Sequence, residues 1–194
     1  MTADPAQGDL FGALVEEVEV EVEVEIEVVE VLDEIEVVEV AAGPAIVVAT
    51  DGSCLTNPGP GGWCWYSDDG CWAAGGEPDT TNNRMELMAV LEALRILPAD
   101  RPLLIKADSS YTIDACTKWI HGWKQRGWKT SQRTPVKNRE IIEAIDAELS
   151  GRAVTFEWVK GHAGHALNEA ADERCRNAAE ATKLGNPIDT GPGW

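Results

Sequence analysis

Residues 1–45 contain no lysine or arginine, and across all 194 residues the bases number only 16 against 34 acids. Fourteen of those acids lie within residues 1–45, so the remainder carries twenty acids and sixteen bases and is only mildly acidic. The net charge of −18 therefore describes one end of the chain and says little about the rest. No two cysteines form a C-x-x-C pair, and the total of five is odd. That usage argues against a disulfide framework and a paired-thiolate zinc site, and for reduced thiols. No apolar run approaches the roughly 18–20 residues that span a bilayer, and the first residues lack the basic start and apolar core of a secretory leader. The expectation is a cytoplasmic protein with no membrane partner.

The chain is long enough for one domain with a proper core plus an extension. Residues 16–40, EEVEVEVEVEIEVVEVLDEIEVVEV, are of low complexity, with Val/Ile and Glu alternating through the first half. Alternation of period two suits a strand, but neighbouring strands of this kind would set carboxylates against each other. An acidic, disordered extension over residues 1–45 is the expectation, ending in the linker AAGPA; a strand or helix that docks or self-associates is the alternative.

From residue 46 the texture is globular. AIVVATD reads as a strand ending at Asp51, NPGPGG as a turn, and WCWYS and CWAAGG around DDG as a hairpin. In NNRMELMAVLEALRIL, residues Leu87, Val90, Leu91 and Leu94 recur at helical spacing. PLLIKADS follows as a strand, YTIDACTKWIHGW and VKNREIIEAIDAEL as helices, AVTFEWVKG as a strand, and ALNEAADERCRNAAEA as a last helix before a frayed tail at 183–194. Hairpins that give way to alternating helices and strands imply an α/β fold with a mixed sheet.

Four acids fall in four separate elements. Asp51 and Asp108 each close an apolar run, which suits either a functional group at a strand end or a cap of the following turn. Glu86 fits a capping box with Asn83, and Asp172 fits a surface pair with Arg176. If the four converge, their mutual repulsion calls for a hard divalent cation, and two such ions about 3.5–4 Å apart could work on a phosphodiester. KGHAGH (160–165) puts His162 and His165 on a glycine-loosened loop, where a proton shuttle beside a metal competes with an idle surface role.

One stretch runs against the acidity. CTKWIHGWKQRGWKTSQRTPVKNR, residues 116–139, holds seven Lys/Arg, three Trp and no acid. Lys118, Lys124, Arg126, Lys129, Arg133, Lys137 and Arg139 can meet backbone phosphates, while Trp119, Trp123 and Trp128 can pack on sugars or on each other. A solvated basic face is the bland alternative.

TDGSCLTNPGPGG, TTNNRMEL, ADSSY, WIHGWKQRGWKT, PVKN and EWVKGHAGHALNEAADE together resemble, in that order, the bacterial type 1 ribonuclease H family, from about residue 46 to about 180. The resemblance implies the ribonuclease H fold over residues 46–182, a five-stranded mixed sheet flanked by helices, acting on RNA–DNA hybrids. It implies a monomer that cuts the RNA strand by a two-metal-ion mechanism with Mg²⁺, or Mn²⁺ in its place, leaving 5′-phosphate and 3′-hydroxyl ends. It makes Asp51, Glu86, Asp108 and Asp172 the metal-binding carboxylates and His162 the loop histidine that helps move a proton or release product. Asn57, Asn82 and Asn83 would reach the hybrid's minor groove, Trp119 a DNA sugar, and Thr81 and Asn138 a DNA phosphate. Residues 116–139 become the basic protrusion, with Lys124, Arg126, Lys129 and Lys137 on the substrate. Asp79 stands where the family often has a base, and HALNE replaces a loop in which Pro and an acid are common. A hybrid-binding protein without turnover, or an interaction protein that recruits a basic partner through its extension, is the competing class. The extension could also compete with nucleic acid for residues 116–139, or simply keep the protein soluble.

Overall fold

The computed structural model describes residues 43–193, His162 apart, so the extension's expected disorder lies outside the described residues. Five strands, β1 (Ile46–Cys54), β2 (Gly59–Ser67), β3 (Trp72–Thr80), β4 (Leu103–Ala107) and β5 (Val154–Trp158), form one sheet in the order β3-β2-β1-β4-β5. The β1–β2 and β2–β3 pairs are antiparallel hairpins, whereas β1–β4 and β4–β5 are parallel and are connected through helices. The helices are α1 (Asn82–Ile96), α2 (Ser110–Asp114), α3 (Ile120–Gln125), α4 (Arg139–Leu149) and α5 (Ala166–Leu184). A π-helical turn, Ala115–Trp119, joins α2 to α3, so the single helix expected there carries a bulge in its middle.

Alternation along the strands sends side chains to two faces. Val48, Trp65 and Ile105 join Leu87, Val90, Leu94, Ile142 and Ile145 in the larger core beneath α1 and α4. Ala49, Cys64 and Ala74 meet Ala171, Cys175 and Ala178 of α5 on the other face. That second core is built of small side chains, which lets α5 lie close on the sheet. A Cβ on Gly62 would come within 2.3 Å of the Cys175 carbonyl oxygen and 2.5 Å of the Ala179 nitrogen. Gly62→Val therefore forces helix and sheet apart, and a loss of about 2 kcal/mol or more is expected in urea unfolding.

The structure corrects three expectations. β1 does not stop at Asp51 but continues to Cys54, because β2 pairs with it from Val48↔Ser67 through Cys54↔Gly61. Its parallel partner β4 leaves earlier, at Ala49↔Lys106, so Asp51 lies past the last β1–β4 pair, where the two strands part. NPGPGG is turn only at Asn57 and Pro58, since Gly59 already begins β2. The residues from 183 to 193 are not frayed either. Gly185 ends α5 at a φ of 67°, and the chain turns back so that the Trp72 N–H donates 3.0 Å to the Pro192 carbonyl and Ile188 joins the small-residue core. The tail thus covers an end of edge strand β3 that would otherwise expose an unpaired donor. No described helix is long and apolar enough to cross a membrane.

Candidate active site

The parting of β1 and β4 leaves a notch, and four elements aim acids at it. Asp51 enters from β1, Glu86 from the first half of α1, Asp108 from the residue after β4, and Asp172 from α5. Carboxylate oxygens of Asp51, Glu86 and Asp108 lie within 4.8 Å of one another, and those of Asp51 and Asp172 within the same distance together with Sγ of Cys175. Asp51 belongs to both groups and so forms the centre. The approach of α1 depends on Gly52, where a Cβ would sit 2.2 Å from the Glu86 backbone nitrogen.

Asp51 is 7% exposed and Glu86 6%, and neither has a basic partner among the described residues. Burial, then the charges of Asp108 and Asp172, push Asp51 up to about 7, with only partial relief from the Gly52 N–H that donates 2.7 Å to its Oδ1. Burial first, then Asp51 and Asp108, hold Glu86 well above the usual carboxylate range, against a weak donation of 3.3 Å from the Asn82 amide. The capping box does not form: Thr81 occupies the N-cap without a side-chain bond, and Glu86 turns inward. Asp172 does make the anticipated pair with Arg176, at 2.7 Å, while also facing Asp51.

The donor set decides which cation fits. Two buried carboxylates and the half-buried Asp108, crowded together, offer hard oxygen ligands and a concentrated negative field, which suits Mg²⁺ or Mn²⁺. The neighbouring thiol of Cys175 is driven far up by burial and by Asp51, and its soft sulfur matches hard cations poorly.

Sequence reasoning missed Asn168. Only 3% exposed in the first turn of α5, it donates 3.4 Å from Nδ2 to Oδ2 of Asp108. It stands four residues before Asp172, so the shared helix face was the available signal. Gly161 packs on the same oxygen, since a Cβ there would come within 2.4 Å of Oδ2. His162 follows directly but lies outside the described residues; its neighbour Gly164 has a φ of 81°.

Beside the notch, Asn57, Thr81, Asn83, Lys137 and Asn138 line one cavity of about 610 Å³. Asn82, expected with them, points instead at Glu86. Trp119 is 40% exposed and stacks edge-on to Tyr111 at 5.8 Å, whereas Trp123 is buried beneath it and Trp128 packs partly into the core. One aromatic of the three is thus presented and two are structural. The basic protrusion is also less uniformly available than its sequence suggests. Lys118 pairs with Asp114 at 2.6 Å, Lys124 with Asp146 at 2.7 Å and Arg139 with Glu143 at 2.8 Å. Among the described residues, Arg126, Lys129, Arg133 and Lys137 have no acid in salt-bridge range. Asp79 is exposed at the end of β3, close in sequence to Thr81.

Residues 43–180 match the RNase H family model. The chain is 47% identical over 150 residues to a ribonuclease H of Tropheryma whipplei, a stretch covering 77% of this chain and 93% of that protein. It is 47% identical over 149 residues to ribonuclease HI of Caulobacter vibrioides, covering 74% and 97%. Among solved structures, it resembles LC9-RNase H1, a type 1 RNase H with the type 2 active-site motif, at 35% identity and a TM-score of 0.63, covering 77% of this chain and 80% of that one. The N-terminal RNase H domain of rv2228c from Mycobacterium tuberculosis shares the fold at 20% identity and a TM-score of 0.54.

Proposed function

The chain belongs to the RNase H family and is a ribonuclease H, and from that premise we propose that it cuts the RNA strand of RNA–DNA hybrids internally, with Asp51, Glu86, Asp108 and Asp172 holding two Mg²⁺ ions. Mn²⁺ fits the same oxygen donors. The observation that carries this reading is the convergence of Asp51, Glu86 and Asp108 within 4.8 Å at a sheet notch, with burial that keeps their repulsion strong. Bound there, the cations would supply an activated water and neutralise the leaving oxygen, giving 5′-phosphate and 3′-hydroxyl ends.

The chain's own residues do the rest. A wide, shallow minor groove with 2′-hydroxyls on one strand distinguishes the hybrid, and the Gly52–Ser53 backbone with Glu86 is placed to sense those hydroxyls. The cavity around Thr81 and Asn138 receives a DNA phosphate, Asn57 and Asn83 face the groove, Asn82 reaches it from its place beside Glu86, and Trp119 offers its open ring to a sugar. Lys124, Arg126, Lys129 and Lys137 hold backbone phosphates, so affinity does not depend on base identity. His162 moves a proton or releases product. Residues 46–182 form the catalytic domain, followed by the tail at 183–194. A cytoplasmic monomer is the setting; five free cysteines agree with a reducing compartment.

The test is cleavage of labelled hybrid, double-stranded RNA and double-stranded DNA side by side, with and without Mg²⁺. Cutting of the hybrid's RNA strand alone, and only with the cation, is expected; tight hybrid binding without turnover in any divalent ion would leave a mere binding protein. Lys137→Ala should weaken binding evenly across sequences and lower the salt slope by about one, in a filter-binding salt series.

A further inference from the structure

Trp158 ends β5 with 57% of its surface in water, the most exposed tryptophan among the described residues. An indole this open gains little from burial, so packing does not account for its place. Its one polar atom has a definite use: Nε1 donates 3.0 Å to the backbone carbonyl of Asp108.

That bond is not needed to pair the strands. Ala107 already faces Trp158 in register, and the Val159 N–H donates 3.0 Å to the Ala107 carbonyl. The indole carries the link one residue further, past the end of β4. There the next helix makes no claim on Asp108. α2 is capped by Ser109, whose Oγ accepts from Thr112 at 3.3 Å and whose carbonyl accepts from Ile113 at 3.2 Å. Asp108 therefore sits between two hydrogen-bonded ladders and belongs to neither. Its carboxylate is steadied by Asn168 and by the bare backbone of Gly161, and its peptide by Trp158.

We propose that Trp158 is a positioning residue for the cation site, acting through Asp108. By holding the carbonyl, the indole N–H fixes the tilt of the Asp108 peptide and so the direction in which the carboxylate meets its ion. A small error at such a group is costly, because a displacement of about 1 Å can lower a rate on the order of a hundredfold. The inference rests on the reading of Asp108 as a metal ligand.

Trp158→Phe keeps a ring and removes the donor, whereas Trp158→Ala removes both. Each is compared with wild type for kcat and KM on hybrid across a Mg²⁺ series, for Mn²⁺ binding to the substrate-free protein by calorimetry, and for melting temperature. Both variants should lose about three- to tenfold in kcat at low Mg²⁺, the weight of one neutral hydrogen bond, and recover in part as Mg²⁺ rises. Mn²⁺ binding should weaken by a similar factor while KM for hybrid and the melting temperature stay near wild type. A Phe variant equal to wild type beside an impaired Ala variant would make the ring, not the N–H, responsible and overturn the proposal. A change in KM alone would do the same by making Trp158 a substrate contact. Wild-type protein that neither binds Mn²⁺ nor cuts hybrid would instead overturn the metal reading, and this inference with it.

Discussion

Asp51→Asn lowers hybrid cleavage on the order of a hundred- to a thousandfold, with substrate binding nearly intact. Asp51 is the acid common to both groups of converging oxygens, so its loss disturbs the whole cation site and not one corner of it. The amide keeps the shape of the side chain but gives up the charge that offsets the cation, and removing one well-placed electrostatic partner from a buried site costs on the order of 10²–10³ in kcat. The surface proposed to bind phosphates is elsewhere, on the cavity lined by Lys137 and on the protrusion, so affinity measured in Ca²⁺ should move less than threefold (about 0.6 kcal/mol). Single-turnover cleavage against a binding titration separates the two quantities. Cleavage within tenfold of wild type would sink the assignment.

The same substitution should make the cation-free protein more stable, by on the order of 4 kcal/mol at pH 8. The sign follows from burial. Asp51 is pushed up to about 7 in the folded state, against an ordinary value of 3.8, so between those two pH values the folded protein binds a proton that the unfolded chain has released. The contribution of Asp51 to wild-type stability therefore falls as pH rises from about 4 to about 7 and levels above that. Glu86 shifts in the same direction for the same cause and adds to the slope. The amide side chain of the variant carries no such penalty, so its advantage should be absent near pH 4 and full above about 7. Mg²⁺ should reverse the ranking, since it binds the folded wild type in preference. Urea unfolding in EDTA and in Mg²⁺ across this pH range tests both statements, and equal stability at pH 8 in EDTA would contradict them. Activity and cation-free stability thus oppose each other at one carboxylate.

Much of this site was legible before any coordinates. Asp108 directly follows its strand, α1 runs from Asn82 to Ile96 as its apolar spacing requires, and the protrusion's seven bases stand out in an acidic chain. The misses share a physical origin. Asp51 seemed to end a strand because Gly52–Ser53 looks like turn chemistry. In fact Gly52 is glycine because α1 presses on it, a fact about a helix far along the chain. Trp158 and Asn168 act on Asp108 from β5 and α5, and nothing local to either residue announces the partner. Lys118, Lys124 and Arg139 look unpaired in the sequence, and only the fold sets acids of neighbouring turns and of α4 beside them.

By itself the amino-acid order determined the element types, the separation of an acidic extension from a nearly balanced domain, and the identity of the four acids, because periodicity, charge and short motifs are local properties. Only the tertiary structure decided that β1 outruns β4, and that decision opens the notch where the four acids meet. Strand length depends on which partners remain alongside, and burial and mutual repulsion exist only once the fold sets distant carboxylates against one another.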